Sequence, residues 1–445
     1  MSGVSVNGVP AHDAYPSPAY SWYVVAVFFV AYIFSYVDRT ILTLLVGPIR
    51  ASLNISDVEI SLLHGFAFAV FYTVLGIPIA RLADSRNRTV IISVGVFVWS
   101  IMSALCGLAN SFLHMFLARV GVGVGEAALG PASNSIMADM FPPEKVAKPL
   151  SVYYSAMYLG SGLALIAGGA IIAVMPPIDL PVIGHLEPWQ GLFVVVGLPG
   201  VLLVAFTATI REPVRKGVLK QQAVGAEMPM RDVIKYIRDR LSTYGNFIVG
   251  LTVSSMVWNG AAAWIPTYFI RTFGWTPTEV GLRYGFGLMI AGLAGAFAGG
   301  WLSAWLKQRG RVDADVRVAL TSALIMWPTG VIAPLMPTGE LALAVYCMFV
   351  FGGSLPWGAA SAALQAISPN QMRALIIAIL FFGLNLAGIG LGPTVVAAIT
   401  DGIFQNDAAV KYSLAIVSAV VLPISAAILW AALPHYRRTY AERSF

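Results

Sequence analysis

The residues best placed to do chemistry are four charges embedded in apolar stretches: Asp38 and Arg39 near the N-terminus, and Arg119 and Glu126 further along. An ionisable side chain at the centre of a membrane-spanning helix costs about 2.5–3.5 kcal/mol on insertion scales, so its presence calls for a function. Arg119 and Glu126 stand seven residues apart, two helical turns on one face. Gly121, Gly123 and Gly125 leave room for a partner helix or for the arginine itself, and Gly130-Pro131 predicts a kink. Asp38 and Arg39 are adjacent and point about 100° apart, so each needs a partner from another helix. Neutral pairs such as Asp38 with Arg119, or Glu126 with Arg39, satisfy all four. The plainer outcome is a permanent ion-pair staple. Buried pairs are poor sources of net stability, which favours a working role: Asp38 and Glu126 exchange protons while Arg39 or Arg119 alternates between a carboxylate and an anionic substrate headgroup. Burial raises a carboxylate pKa and a nearby guanidinium lowers it, so parting the two acts as a switch. Tyr32, Ser35, Tyr36 and Thr43 fall at helical spacing around Arg39 and predict a cavity-lining face.

The second half of the chain has no comparable charge. It offers Trp258, Asn259 and Trp264, then Trp357, Ser361 and Gln365, then Asn385. Such residues ordinarily pack or sit at interfaces. Together, a charged half facing an aromatic, apolar half suits a substrate with an anionic head and a tail. Other patterns carry no chemistry. Gly121-Val122-Gly123-Val124-Gly125 lies inside an apolar run rather than after a strand, which excludes a dinucleotide loop. His64 and His114 have no ligand partner one turn away, and Cys106 and Cys347 have no metal-ligand spacing. No catalysis, cofactor or metal is expected.

The elements that must position these charges follow from composition. Of 445 residues 58% are hydrophobic and only 11% charged, with a mean hydropathy of +0.79. Soluble proteins carry about 25% charged residues, so a set of soluble domains is excluded. The net charge of +6 comes from basic residues between apolar segments, which points to a bilayer and not to nucleic acid. Crossing a bilayer takes roughly 20 apolar residues. Twelve segments qualify: about 20–48, 57–82, 89–109, 111–140, 149–175, 189–210, 241–272, 278–306, 316–336, 340–367, 374–403 and 410–433. Asn54-Ile55-Ser56-Asp57 supplies N-cap residues for the second, and Pro277 opens the eighth. The fold class is therefore an all-α membrane protein of twelve transmembrane helices in two six-helix bundles, 20–210 and 241–433. Residues 1–19 form a flexible tail, 211–240 a linker and 434–445 a second tail. Of the 27 basic residues, 21 fall on the side of the termini, which predicts that both termini are cytoplasmic. The first basic residue is Arg39, so no signal-peptide n-region is read. In the linker, Met230, Val233, Ile234 and Ile237 share one face, predicting an amphipathic helix on the membrane surface or a solvated linker helix. A shift of 228 positions superposes Gly125 on Gly353, Ser133 on Ser361, Lys145 on Arg373, Gly160 on Gly388 and Gly162 on Gly390. Duplicated halves of this kind are a signature of transporters.

The segment Arg81-Leu82-Ala83-Asp84-Ser85-Arg86-Asn87-Arg88 resembles the signature loop of the major facilitator superfamily, with Ala80 and Asn87 at usual glycines and Ser85 at a usual basic position. The resemblance implies the major facilitator fold, its halves pseudo-symmetric, and a cytoplasmic gate latched by Arg81, Asp84 and Arg88. Asp38-Arg39 with Arg119-x-x-x-Gly123-x-Gly125-Glu126-Ala127 resembles the spinster family, including its bacterial members. That family's animal members export sphingosine-1-phosphate or move lysophospholipids. The same Asp-Arg pair is also similar to symporters of organic anions such as sugar acids. The resulting expectation is a proton-coupled secondary transporter working by alternating access, for an amphipathic anionic lipid or alternatively a small organic anion. A non-transporting receptor is the least favoured reading. Its partners would be that substrate, protons and the lipid bilayer of a bacterial inner membrane, with the chain acting as a monomer.

Overall fold

The computed structural model of the protein describes residues 15–142, 144–181, 184–215, 230–369 and 372–443. Twelve helices are long and apolar enough to cross a membrane: Pro18–Leu44, Asp57–Ala83, Arg88–Cys106, Phe112–Met140, Ala147–Val174, Pro188–Ala208, Leu241–Phe273, Pro277–Gln308, Ala314–Leu335, Gly339–Ala366, Leu375–Phe404 and Asp407–Ala441. Helices dominate because lipid offers no partner for a free backbone N–H or C=O. Local signals set several ends. Ser56 caps the second span in a reciprocal box with Glu59, and Pro277 takes the first position of the eighth. Ile178–Leu180 and Gly184–Leu186 pair as a short antiparallel hairpin before the sixth span.

Three boundaries depart from the hydropathy reading. The first α-helix stops at Ile41, passes through a 3-10 turn at Leu42–Leu44, and gives way to a separate helix at Val46–Leu53. The fourth span breaks at Ala127–Ala128, ahead of the expected Gly130-Pro131. The Pro131 ring would collide with the carbonyl four residues earlier, that of Ala127, so the helix opens there. The twelfth helix runs on to Ala441, because Tyr436 and Thr439 are buried and bond Ala363 O (2.9 Å) and the Thr243 hydroxyl (2.8 Å).

The duplication is visible in these breaks. The tenth span is interrupted at Leu355, between Gly339–Ser354 and Pro356–Ala366, which is 228 residues beyond Ala127. Gly160 of the fifth span lies against Ile33 and Tyr36 of the first, and Gly388 of the eleventh lies against Ser255 and Asn259 of the seventh.

Contacts group the chain into two compact units: one of Met1–Arg39, Phe71–Gly160 and Met175–Val224, the other of Thr40–Val70, Ser161–Val174 and Gly225–Phe445. Lipid tails are as apolar as leucine, so close packing rather than water exclusion joins the helices. In the first unit, a Cβ on Gly125 would sit 2.6 Å from Trp99 N, and one on Gly197 2.5 Å from Ala104 N. In the second, Gly295 and Gly299 of the eighth span press on Phe351 O and Leu355 O of the tenth. The helix Met230–Asp239 belongs to this unit. Tyr236 and Ile237 pack on the core formed by Tyr244, Leu364 and Tyr436, and Tyr236 bonds Ile367 O at 3.3 Å. The side chains of Met230, Val233 and Ile234 lie outside the described residues.

Asp313 closes the terminus-side end of the second unit. It is buried and receives Arg317 Nε at 3.0 Å and Arg437 Nε at 2.6 Å. Burial alone would raise its pKa, but the two guanidiniums prevail and hold the carboxyl below its ordinary value. A depressed carboxylate contributes stability above its unfolded pKa and loses it as pH falls through the folded one. Asp313→Asn is therefore expected to lower the thermal midpoint by a few degrees at neutral pH. That difference should shrink progressively in melting curves recorded as pH falls below about 3.9, the ordinary aspartate value, and vanish only below the depressed folded one.

Candidate transport site

All four charges lie in the first unit, three of them where a helix ends or breaks and Arg119 in mid-helix. Asp38 and Arg39 occupy the last turn before the first helix stops at Ile41, and Glu126 is the last residue before the break in the fourth span. Close approach of the third and fourth spans at Gly95 and Gly125, and of the fourth span to Met102 at Gly121, brings Arg119 in beside the first span. Two pairs result. Arg119 donates to Asp38 Oδ2 at 2.9 Å, and the Ser103 hydroxyl of the third span donates to Oδ1. Arg39 reaches Glu126 Oε2 through Nε at 2.7 Å and through its terminal nitrogen at 2.5 Å, and Ser35 donates to the same oxygen at 2.5 Å.

The pairs differ in access and in saturation. The Asp38 and Arg119 side chains are 3% and 1% exposed, whereas Arg39 is 16% exposed over a Glu126 at 1%. Both Asp38 oxygens hold donors. Glu126 Oε1 is buried and accepts no hydrogen bond among the described residues. The Arg39 guanidinium also lies 5.0 Å from the Tyr36 ring and 5.1 Å from that of Tyr72. Tyr32 stacks on Tyr153 at 4.5 Å and meets Tyr36 and Tyr154 edge-on, so phenol rings surround the arginine. Ser35 and Tyr36 are thus on the expected face, together with Tyr32. Thr43 leaves it: past the helix end it is 2% exposed and bonds Thr40 O at 2.7 Å. Tyr72, Tyr153 and Tyr154 come from other spans and had no sequence signal.

The second unit treats its candidates differently. Trp258 stacks on Phe349 at 6.0 Å and lies against Gly353. Asn259 is spent on Ser255 O of its own helix at 2.9 Å, and Trp264 is buried with its N–H on Pro393 O at 2.9 Å. Asn385 is half-buried in a π-helical segment, Leu384–Leu391. Trp357 and Gln365 are exposed, and Ser361 is half-buried.

In the signature loop, Arg88 is buried and holds Asp139 at 2.5 Å and Glu212 at 2.6 Å, while Glu212 also accepts the Arg88 backbone N–H at 3.0 Å. Arg81 is exposed, and the side chain of Asp84 lies outside the described residues. A further cluster went unread in the sequence. Asp57, which opens the second span, is fully buried. It is clasped by Arg271 at 2.6 and 2.8 Å and by Arg50 at 3.0 Å, and Asp407 also reaches Arg50, at 2.5 Å. The cluster ties the connection between the first two spans to the end of the seventh and the start of the twelfth. Only the charges at loop ends hinted at it.

Two ion pairs set among twelve apolar spans, in a chain whose fourth and tenth spans break at matching positions, define a multi-pass membrane carrier. The chain belongs to the Major Facilitator Superfamily, whose profile matches residues 28–393. It is 26% identical over 438 residues, 96% of each chain, to an MFS-type efflux pump of Mycolicibacterium smegmatis. It is 25% identical to a probable L-galactonate transporter of Escherichia coli, over 74% of this chain and 73% of that one. Among solved structures it is similar to a bacterial homologue of the human lysosomal transporter Spinster in an inward-facing, unoccupied conformation. The TM-score is 0.75 at 26% identity, covering 96% of this chain and 99% of the other.

Proposed function

We propose that the protein is a proton-coupled secondary transporter working by alternating access. Its substrate is an amphipathic organic anion, in the first place a lysophospholipid- or sphingosine-1-phosphate-like lipid. The observation that carries this reading is the contrast between the two buried pairs. Asp38–Arg119 is sealed and saturated, which suits a staple. Arg39–Glu126 has a partly exposed arginine and an unsatisfied carboxylate oxygen, which suits an exchanging pair. An anionic headgroup that takes the Arg39 guanidinium leaves Glu126 without its cation, and a buried carboxylate so stranded is stabilised by a proton. Anion and proton then bind together, the logic of symport. The second half, whose Trp258 and Asn385 are half-buried and whose charges cluster at span ends, accepts the tail. Arg81, Asp84 and Arg88 serve the gate on the side of the termini. The bias of basic residues to that side supports a bacterial inner membrane with both termini in the cytoplasm, and the chain functions as a monomer.

A second reading is a symporter of small organic anions such as sugar acids. It is favoured by the tyrosines around Arg39, whose hydroxyls and ring faces suit a polyol, and by the galactonate-transporter relative. Uptake into proteoliposomes under an imposed pH gradient tests both. Gradient-driven uptake blocked by a lysolipid supports the first, and uptake blocked only by a sugar acid supports the second. In counterflow at varied pH, Glu126→Gln is expected to retain exchange and lose its pH dependence. An unchanged pH profile would remove Glu126 from coupling.

A further inference from the structure

The eighth span presents an apolar stripe outward along its length, with Ile290 68%, Phe297 73% and Trp301 67% exposed. At its terminus-side end Trp301 and Trp305 stack at 6.2 Å and 23°, and the Arg309 guanidinium lies 3.8 Å from the Trp305 ring centroid. Arg309 is the first residue past the span. Gly310 follows in the left-handed region (φ 75°), which folds the chain back so that Arg311 N bonds Leu306 O at 3.0 Å. Neighbouring Lys307 is neutralised by Asp315 at 2.7 Å. Arg309 and Arg311 are exposed and form no ion pair among the described residues.

A tryptophan pair at the end of a span sits at headgroup depth. A guanidinium resting on an indole keeps its in-plane N–H groups free, and that fork matches two oxygens of a phosphate. We propose that this helix end is a binding site for an anionic phospholipid. Trp301 and Trp305 lie along its glycerol and upper acyl region, and Arg309 and Arg311 take the phosphate. Two uncompensated positive charges select an anionic headgroup over a zwitterionic one. The site is separate from the buried pairs and does not depend on the transport reading.

The test is native mass spectrometry of the full-length protein with phosphatidylglycerol or phosphatidylcholine. Thermal midpoints in nanodiscs of the same lipids serve as a second readout. The unmodified protein is expected to retain phosphatidylglycerol preferentially. Arg309→Gln and Arg311→Gln should each weaken that retention by about fivefold and abolish the phosphatidylglycerol-dependent rise in midpoint, with the midpoint in phosphatidylcholine unchanged. Trp305→Leu, which removes the platform, should weaken retention as well. Arg438 is an exposed arginine of the same end already paired with Glu442 at 2.7 Å, so Arg438→Gln should change nothing. Equal retention of the two lipids overturns the proposal. So does a loss in Arg438→Gln as large as that in Arg309→Gln, which would mark a diffuse basic surface.

Discussion

Arg119→Gln is expected to lower stability by about 3–5 kcal/mol, because it strands a carboxylate that nothing else can neutralise cheaply. Asp38 is sealed, and its remaining donor is the Ser103 hydroxyl. The matching change at the other pair should behave differently. Arg39 is partly accessible, so a proton can reach Glu126 and compensate for Arg39→Gln. That variant should melt close to the unmodified protein and yet fail to transport, since the proposed headgroup contact is gone. Thermal melts in detergent, together with counterflow, separate the two. If Arg39→Gln proved the more destabilising, the division into a staple and an exchanging pair would fall.

The second large effect concerns the charge cluster of the second unit. Arg271→Gln removes the bidentate partner of Asp57, whose side chain is 0% exposed, and leaves only Arg50. The expected loss is about 3 kcal/mol. Asp57→Asn in the same chain should recover most of it, because the stranded charge goes too, and a double-mutant cycle reads the coupling directly. Asp407→Asn is the contrasting case. Its carboxylate is 55% exposed and screened by solvent, so the expected change stays within about 1 kcal/mol. Additive losses for Arg271→Gln and Asp57→Asn would show that the contact contributes no coupling.

How far the sequence reached is clearest at particular residues. The twelve spans, the isolated charges Asp38, Arg39, Arg119 and Glu126, and the 228-residue repeat were all readable from one dimension. Bilayer thickness imposes a length on every span, and a charge inside one stands out because it is costly. Helical spacing also placed Ser35 and Tyr36 beside Arg39, because four residues along one helix is a local relation. Pairing was another matter. The sequence allowed Asp38 with Arg119 and Glu126 with Arg39 without weighing their access, and exposure depends on which spans pack around each pair. Thr43 leaves the Arg39 face because the helix ends two residues before it. Tyr72, Tyr153 and Tyr154 were invisible because aromatic residues in an apolar span look alike until a neighbour is known. Asp57 read as a cap because its arginine partner Arg271 lies 214 positions away. One dimension thus determined what must be buried, through the cost of transfer into lipid, and only the packed helices decided what each buried group would touch.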